Sequence, residues 1–496
     1  MCMMERLILM VKKKIEEIIP DYSEEEIVEP IYEDVDSLES APIPSFPTKK
    51  EEKEEIVEEK IEEEKEALFV EKTTEKKDNS TVISMDKYKK RIIAMISVGL
   101  FIIPACIVIL IISSHSTLLI NETIEGIVQF VLGVATGSFL VGMFFYIKRR
   151  KKTKLNIKNT IIYSVFMTIY ILGCIAFCTL LYGPYSGFRD WLITTAMATM
   201  NHQYYCQWFY SDEEIEEVFS RNYIKETGES TNTDLIEINT DKVSIETYAN
   251  EYEKAILDRE EGALYKIINL EINGCKGYLA VIYDPSKVSV ATTNRVGVSG
   301  QYATTIAKRE KAVVAINGAG FKDPGHRSTG GMPRGITIVD GKIITNNEYG
   351  KPATGGLIGF TNENKLVLLK NVTAKEALNK GVRDAVSWGP FLIVNGKAAY
   401  TSGNGGWGYA ARTAIGQRKD GIVLMLVVDS NYNRTKGASM VDMTRIMQQY
   451  GAYNAANLDG GTSSVMVVNG KLISNPIDSE LKNQTRPIAT TFIVTK

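Results

Sequence analysis

The chain has 496 residues, with 57 Lys and Arg against 60 Asp and Glu and a formal net charge of −3. That balance provides no global basic field for nucleic acid, so electrostatic recognition has to be local. Long charged runs alternate with long uncharged stretches, which excludes one uniform globular domain, and length alone predicts about three units. The cysteines Cys2, Cys106, Cys174, Cys178, Cys206 and Cys275 show no CxxC spacing, so neither a zinc ribbon nor a disulfide-stapled miniprotein is expected. His115, His202 and His326 are too few for a His-rich metallohydrolase centre.

In chain order, residues 1–90 mix Glu and Lys runs (Lys49 to Glu66) with Pro20, Pro30, Pro42, Pro44 and Pro47. So little apolar surface predicts a disordered charged tail with one helix-prone stretch. A coiled-coil docking helix would need more than Ile56, Val57, Ile61, Leu68 and Phe69; a cytoplasmic partner of the tail stays open.

Residues 91–182 are expected to hold three transmembrane helices. Ile92 to Ser114, Gly126 to Ile147 and Thr160 to Tyr182 contain no Asp, Glu, Lys or Arg, and about 20 helical residues cross the hydrocarbon core. Buried core helices would require three such segments in succession without a polar stripe. The first begins about ninety residues in, which does not suit a cleaved signal peptide. Lys87, Lys89, Lys90 and Arg91 precede the first span, and the loop Lys148 to Lys158 is basic, whereas Ser113 to Thr123 has no Lys or Arg. The positive-inside rule then places the N-terminus in the cytoplasm and everything after Tyr182 outside, giving a multi-pass cell-membrane protein.

Residues 183–247 read as a membrane-proximal helical linker, with a helix over Ser211 to Lys225 followed by a polar connector, Thr227 to Asp241. From about Tyr248 the pattern becomes short β-branched runs beside Asn273-Gly274, Asp340-Gly341, Asn395-Gly396, Asp420-Gly421 and Asn469-Gly470. Such pairs supply the positive φ values of two-residue hairpin turns. Helical patterns interrupt at Gly300 to Lys308, Ala374 to Lys380 and Ser439 to Tyr450. Residues 248–496 are therefore expected to form an α+β, hairpin-rich extracytoplasmic domain with packed helices.

Several segments of that domain place an apolar strand beside polar or glycine residues: AVVAINGAGF (Ala312 to Phe321), GGMPRGITI (Gly330 to Ile338), RDAVSWGPFLIVNGK (Arg383 to Lys397), RTAIGQRKDG (Arg412 to Gly421), VLMLVVDS (Val423 to Ser430) and NAANLDGGTSSVMVVNG (Asn454 to Gly470). Strand ends converging on one rim can build a polar site on a rigid support. Taken singly, each segment is better explained by turn glycines, a turn-initiating Asp459 and a surface-paired Arg412. The densest segment puts Asp459 directly before Gly460, Gly461, Thr462 and Ser463, where bare backbone and hydroxyls suit anionic oxygens. Arg412 follows an equally glycine-rich approach, and a guanidinium there could grip phosphate bidentately.

In this order, AINGAGF, GITIVDGKI, SWGPFLIVNGK, RTAIGQ, NAANLDGGTSSVMVVNG and RPIATTFIV resemble the phosphodiester glycosidase domain family, over about Ile268 to Val494. Ala319 and Thr462 stand where the family pattern often has glycine. The resemblance implies hydrolysis of a sugar-1-phosphodiester. The catalytic candidates it suggests are Asp459 as base or cation stabiliser, Arg412 as phosphate clamp and Asp429 as second carboxylate. Arg334 is a second clamp; Asn317, Ser387, Gly389, Gly460, Gly461, Thr462 and Ser463 would bind substrate, and Trp388 or Trp407 could stack on the sugar. No cofactor is expected, and calcium at Asp429 or Asp459 stays open. The implied partners are the lipid bilayer and a glycosyl-phosphate envelope polymer or glycolipid, such as teichoic-acid-like, capsular or exopolysaccharide chains. A non-catalytic sensor of such polymers, or a scaffold organised by the tail, are the competing readings.

Overall fold

The computed structural model describes residues 87–115, 122–148, 157–199, 203–239, 247–323, 329–346, 356–477 and 485–496. The charged tail up to residue 86, the basic residues 149–156 and His202 and His326 lie outside the described residues. Three helices, Lys87–His115, Glu122–Lys148 and Ile157–Tyr182, are long and apolar enough to cross a membrane. Phe130, Leu140, Phe144, Phe166 and Ile169 stand exposed on them, apolar surface that in water would carry a large free-energy cost.

The chain then folds into short helices, Ser186–Met197, Tyr204–Gln207 and Asp212–Arg221. They share a small core of Ile193, Ala196, Cys206, Tyr210, Ile215 and Val218, which Leu181 at the end of the third apolar helix joins. Ser211 caps the last of them, and Glu214 completes a capping box, satisfying two otherwise orphaned N–H groups. The helix expected through Lys225 ends at Arg221, because Tyr223–Lys225 pairs as an antiparallel strand with Tyr400–Ser402; aromatic and β-branched residues take a ladder when a partner edge is available. The polar connector beyond it lies along the large domain, its Thr231, Glu237 and Asn239 N–H groups donating to the Leu368, Lys419 and Asp420 carbonyls.

The large domain is α+β and built from antiparallel pairs. A seven-stranded sheet runs, edge to edge, through Lys397–Ala398, Phe391–Val394, Ala452–Asn457, Arg412–Arg418, Val423–Val428, Cys275–Ile282 and Tyr265–Ile272. A five-stranded sheet has Ala312–Asn317 at its centre and Thr490–Thr495 and Met466–Val468 beside it, and a second five-stranded sheet has Val382–Ser387 at its centre. Val423, Met425 and Val427 point into a core shared by all three sheets, with Val314, Phe492, Phe360 and Leu368. Leu424, Leu426 and Val428 point the other way, onto Met443 and Met447 of the helix Met440–Gln449. Burial on both faces is why VLMLVV reads as an unbroken apolar run, and each such side chain contributes roughly 1.5–3 kcal/mol.

Turn chemistry sets the registers. Asn273-Gly274, Asp340-Gly341, Asn395-Gly396 and Asn469-Gly470 all have positive φ at both residues, as type I′ hairpins require. At Asp420-Gly421 only the glycine does. Asp420 there accepts from Arg418 Nε and Nη2, so a longer side-chain-braced loop replaces the two-residue turn.

Candidate active site

One end of the seven-stranded sheet gathers the candidate residues. Arg412 opens its strand opposite Val428, so Asp429 emerges beside it, and Val428 in turn pairs with Gly277. The chain leaving Ala452–Asn457 follows the same edge: the Leu458 N–H donates to Thr413 O and the Gly461 N–H to Ala411 O, both at 2.8 Å. Asp459 thereby lies over the start of the Arg412 strand. Asn317 locks it from the five-stranded sheet: its Nδ2 donates to Asp459 O at 2.7 Å, and its Oδ1 accepts from Thr413 Oγ1 and the Val465 N–H.

Arg412 is buried and interior. Its Nε donates to Ala438 O at 3.2 Å and its Nη2 to the carbonyls of Trp407 and Gly408. Three carbonyls thus take two of its three nitrogens, because a buried guanidinium must place its donors. Only Nη1, beside Gly460, is left for a ligand, in place of the bidentate grip expected from sequence. Burial lowers its pKa to about 10, and Asp459 partly offsets this.

Burial also pushes the Asp459 carboxyl above the ordinary carboxylate range, while Ser463, Arg486, the Gly460 N–H and Arg412 pull it back. Asp429 is raised to about 6, first by burial, against the opposing pull of the Asn475 N–H, Lys276 and the Tyr278 hydroxyl. The Asn475 N–H donates to Asp429 Oδ1 at 2.9 Å, whereas Oδ2 is buried without a hydrogen-bond partner of good geometry. Ser463 Oγ, Ser464 Oγ and Asn457 Oδ1 are likewise buried without a hydrogen-bond partner of good geometry. Orphaned polar atoms of this kind are uncommon in a folded interior and collect where a ligand or water completes them.

The other sequence candidates fall into two groups. Gly460, Gly461 and Ser463 form the turn around Asp459, with Gly461 at φ +63° and opening the 3₁₀ turn Gly461–Ser463. Thr462 Oγ1 donates to Ile477 O at 3.1 Å, joining that turn to the segment that also reaches Asp429. Ser387 instead accepts the Ile336 N–H at 2.8 Å, and Gly389 O accepts from Asn457 Nδ2 at 2.9 Å. Those two, with Asn317, act on the scaffold. The Trp388 ring lies against Gly320, leaving no room for a Cβ there, and its Nε1 is buried without a partner. Trp407 lies near the Arg412 guanidinium, 6.0 Å from its ring centroid. Arg334 is exposed, its N–H donating to Gly320 O. Among the described residues no three His, Cys, Asp or Glu side chains gather to hold a metal ion.

Arg486 is a further participant, which residue-by-residue reading did not single out although it opens RPIATTFIV. It faces Asp459 electrostatically, stacks on Phe321 at 4.5 Å from the ring centroid and pairs with Asp323 at 3.8 Å. Its Nε is buried and unpartnered. The only sequence signal for it is an arginine ahead of Pro487 at the approach to the last strand.

Two carboxylates with raised pKa values and two arginines thus stand at this edge of an antiparallel α+β scaffold, a perturbed cluster of the kind in which candidate functional sites are sought. Residues 310–495 match the phosphodiester glycosidase family model, and this part of the chain is a domain of that family. The chain is 31% identical over 201 residues to the SPbeta prophage-derived protein YomE of Bacillus subtilis, covering 39% of this chain and 29% of that one. It is 28% identical over 190 residues to N-acetylglucosamine-1-phosphodiester alpha-N-acetylglucosaminidase of Bos taurus, covering 36% of each. The chain thus spans about a third of the length of these relatives. The catalytic domain of the zebrafish N-acetylglucosamine-1-phosphodiester alpha-N-acetylglucosaminidase, auto-inhibited by its pro-peptide, aligns with a TM-score of 0.40 at 22% identity, covering 48% of this chain and 85% of that one.

Proposed function

We propose that the protein is a membrane-anchored hydrolase of sugar-1-phosphodiesters, with the large domain on the extracytoplasmic side. The observation that carries this reading is Asp459, a carboxylate raised by burial and flanked by Arg412 and Arg486, inside a domain of the phosphodiester glycosidase family. Arg412 Nη1 and Arg486 hold the diester anion. The bond between the anomeric carbon and the phosphate oxygen breaks with its electron pair leaving on the phosphate, so little general-acid help is needed. Asp459 stabilises the positive charge developing at the anomeric carbon. Water adds to that carbon and gives its proton to a carboxylate, for which Asp429, with a pKa near neutrality, is suited. The products are the free sugar and a phosphomonoester. No cofactor enters this scheme. The natural substrate on this reading is a glycosyl-phosphate polymer or glycolipid of the cell envelope, reached from the bilayer surface.

The test is turnover of a panel of sugar-1-phosphodiesters, including the methyl phosphodiester of N-acetylglucosamine 1-phosphate, by the full chain in detergent. Asp459→Asn, nearly isosteric, should bind substrate normally and lose about a hundredfold or more in kcat, the scale of a positioned catalytic group. Arg412→Ala should chiefly raise KM, since its grip acts in ground and transition states alike. A folded Asp459→Asn protein with parental kcat would remove Asp459 from the mechanism.

A further inference from the structure

We propose that the membrane-proximal helices complete the site: Thr194 and Asn222, acting through Asn404, are positioning residues for Arg412. The inference rests on the reading of Arg412 as the phosphate-binding arginine. It concerns a part of the chain that precedes the family-matched residues 310–495.

The loop Gly403 to Gly408 presents the Trp407 and Gly408 carbonyls to Arg412 Nη2. Gly403, Gly405, Gly406 and Gly408 all have positive φ. Glycine loses the most conformational entropy on ordering, so this loop depends on its surroundings for its shape. Those surroundings are largely the membrane-proximal helices. Asn404 Nδ2 donates to Thr194 Oγ1 at 2.8 Å, and the Asn404 N–H donates to Asn222 Oδ1 at 3.1 Å. Asn404 Oδ1 then accepts the Gly406 N–H at 3.0 Å, passing the constraint toward Trp407. Asn222 is itself fixed, its Nδ2 donating to Asp190 Oδ2 at 2.9 Å and Val218 O at 3.0 Å. Thr194, Asn222 and Asn404 are all buried, so each of these bonds lacks a water substitute.

Packing repeats the same message. A Cβ on Gly408 would collide with Thr195, and one on Gly403 or Gly406 with Asn222. The helices are in turn tied to the apolar bundle: Tyr210 Oη donates to Leu181 O at 3.3 Å, and His115 Nδ1 pairs with Glu214 Oε1 at 2.6 Å. The anchor therefore reaches Arg412 through a continuous set of buried and half-buried contacts, so a displacement in the helices is passed on to the guanidinium.

Thr194→Val keeps the volume and removes the hydroxyl that Asn404 needs; Thr194→Ser keeps it. Both are made in the full chain in detergent and assayed on the methyl phosphodiester of N-acetylglucosamine 1-phosphate, with hydrogen exchange of the amides of 403–411 as a readout independent of turnover. Thr194→Val should speed that exchange and raise KM about tenfold, the scale of one lost buried hydrogen bond, with kcat little changed, and Thr194→Ser should restore both. In an Arg412→Lys background the KM increment should vanish, since residues acting as one unit are non-additive. Asn404→Ala, from the opposite partner, should behave as Thr194→Val does and serves if the latter does not fold. Unchanged exchange at 403–411, or a KM increment that persists in the Arg412→Lys background, overturns the proposal. If the parent cleaves no diester, the exchange result alone decides the inference, and only the functional reading falls.

Discussion

Asp429 illustrates a carboxylate held at a cost to the fold. Its pKa of about 6 arises mainly from burial, and Oδ2 has no partner of good geometry. Because the folded state binds this proton more tightly than the unfolded chain, whose Asp titrates near 3.9, stability falls as pH rises between about 4 and 6. Above that window the ionised group destabilises by about 3 kcal/mol, an order-of-magnitude figure. Asp429→Asn keeps an acceptor for the Asn475 N–H and carries no charge. Thermal melts from pH 4 to 8 should show this variant more stable than the parent at pH 8, by several degrees, with a flatter profile between about 4 and 6. A less stable variant at pH 8 would mean the carboxylate is properly accommodated. In the parent, kcat/KM should rise with pH and inflect near 6 as the base ionises.

Among the elements, the Asp459–Ser463 turn separates backbone from ligand effects. Gly461 has φ +63° and open space where a Cβ would stand. Gly461→Ala should therefore lower stability by roughly 1–2 kcal/mol, the left-handed penalty, and leave KM alone. Gly460 has φ −116°, allowed for any residue. A Cβ there would lie 3.1 Å from Ala411 O and 3.3 Å from Arg412 Nη1. Gly460→Ala should raise KM by crowding the one free Arg412 nitrogen while changing Tm little. If KM rose for Gly461→Ala and not for Gly460→Ala, Nη1 would not be the contact. Elements were also where sequence periodicity served best. The capped helix Met440–Gln449, with Ser439 and Asp442 forming its capping box, and the four type I′ turns are written in local residues. The helix–strand switch at Tyr223 is not, because it depends on an edge supplied by Tyr400–Ser402, far along the chain.

At the scale of the whole molecule, three apolar helices precede a domain whose site is braced by the helices between them. The basic residues from Lys148 to Lys158 resist translocation. Protease added to cells stripped of any wall should therefore digest the region after Tyr182 and spare the tail before Lys87. A protected C-terminal domain would overturn the extracytoplasmic placement. Cys206 and Cys275 are both free and buried among the described residues, Cys206 in the small helical core and Cys275 at the start of its strand. No disulfide between them is therefore expected, and mass spectrometry of the purified protein should find no linked Cys206–Cys275 peptide.

Local chemistry alone determined the apolar spans, the hairpin turns, the α+β class and the motif set that marks the family, since each is carried by residues close together in the chain. It also drew attention to Asp459 and Arg412 through their glycine-rich surroundings, whereas Asp429 came in through the family resemblance. Roles were a different matter. Asn317 and Ser387 look in sequence like substrate ligands, but the amide of the first meets the main chain of the Asp459 turn and the hydroxyl of the second a main-chain N–H of another strand. Arg412 gives two nitrogens to loop carbonyls, and Arg486 approaches Asp459 from the far end of the chain. A side chain's donors are shared out only when burial removes water as a partner, and which groups then compete for them is decided by long-range packing that sequence spacing does not record.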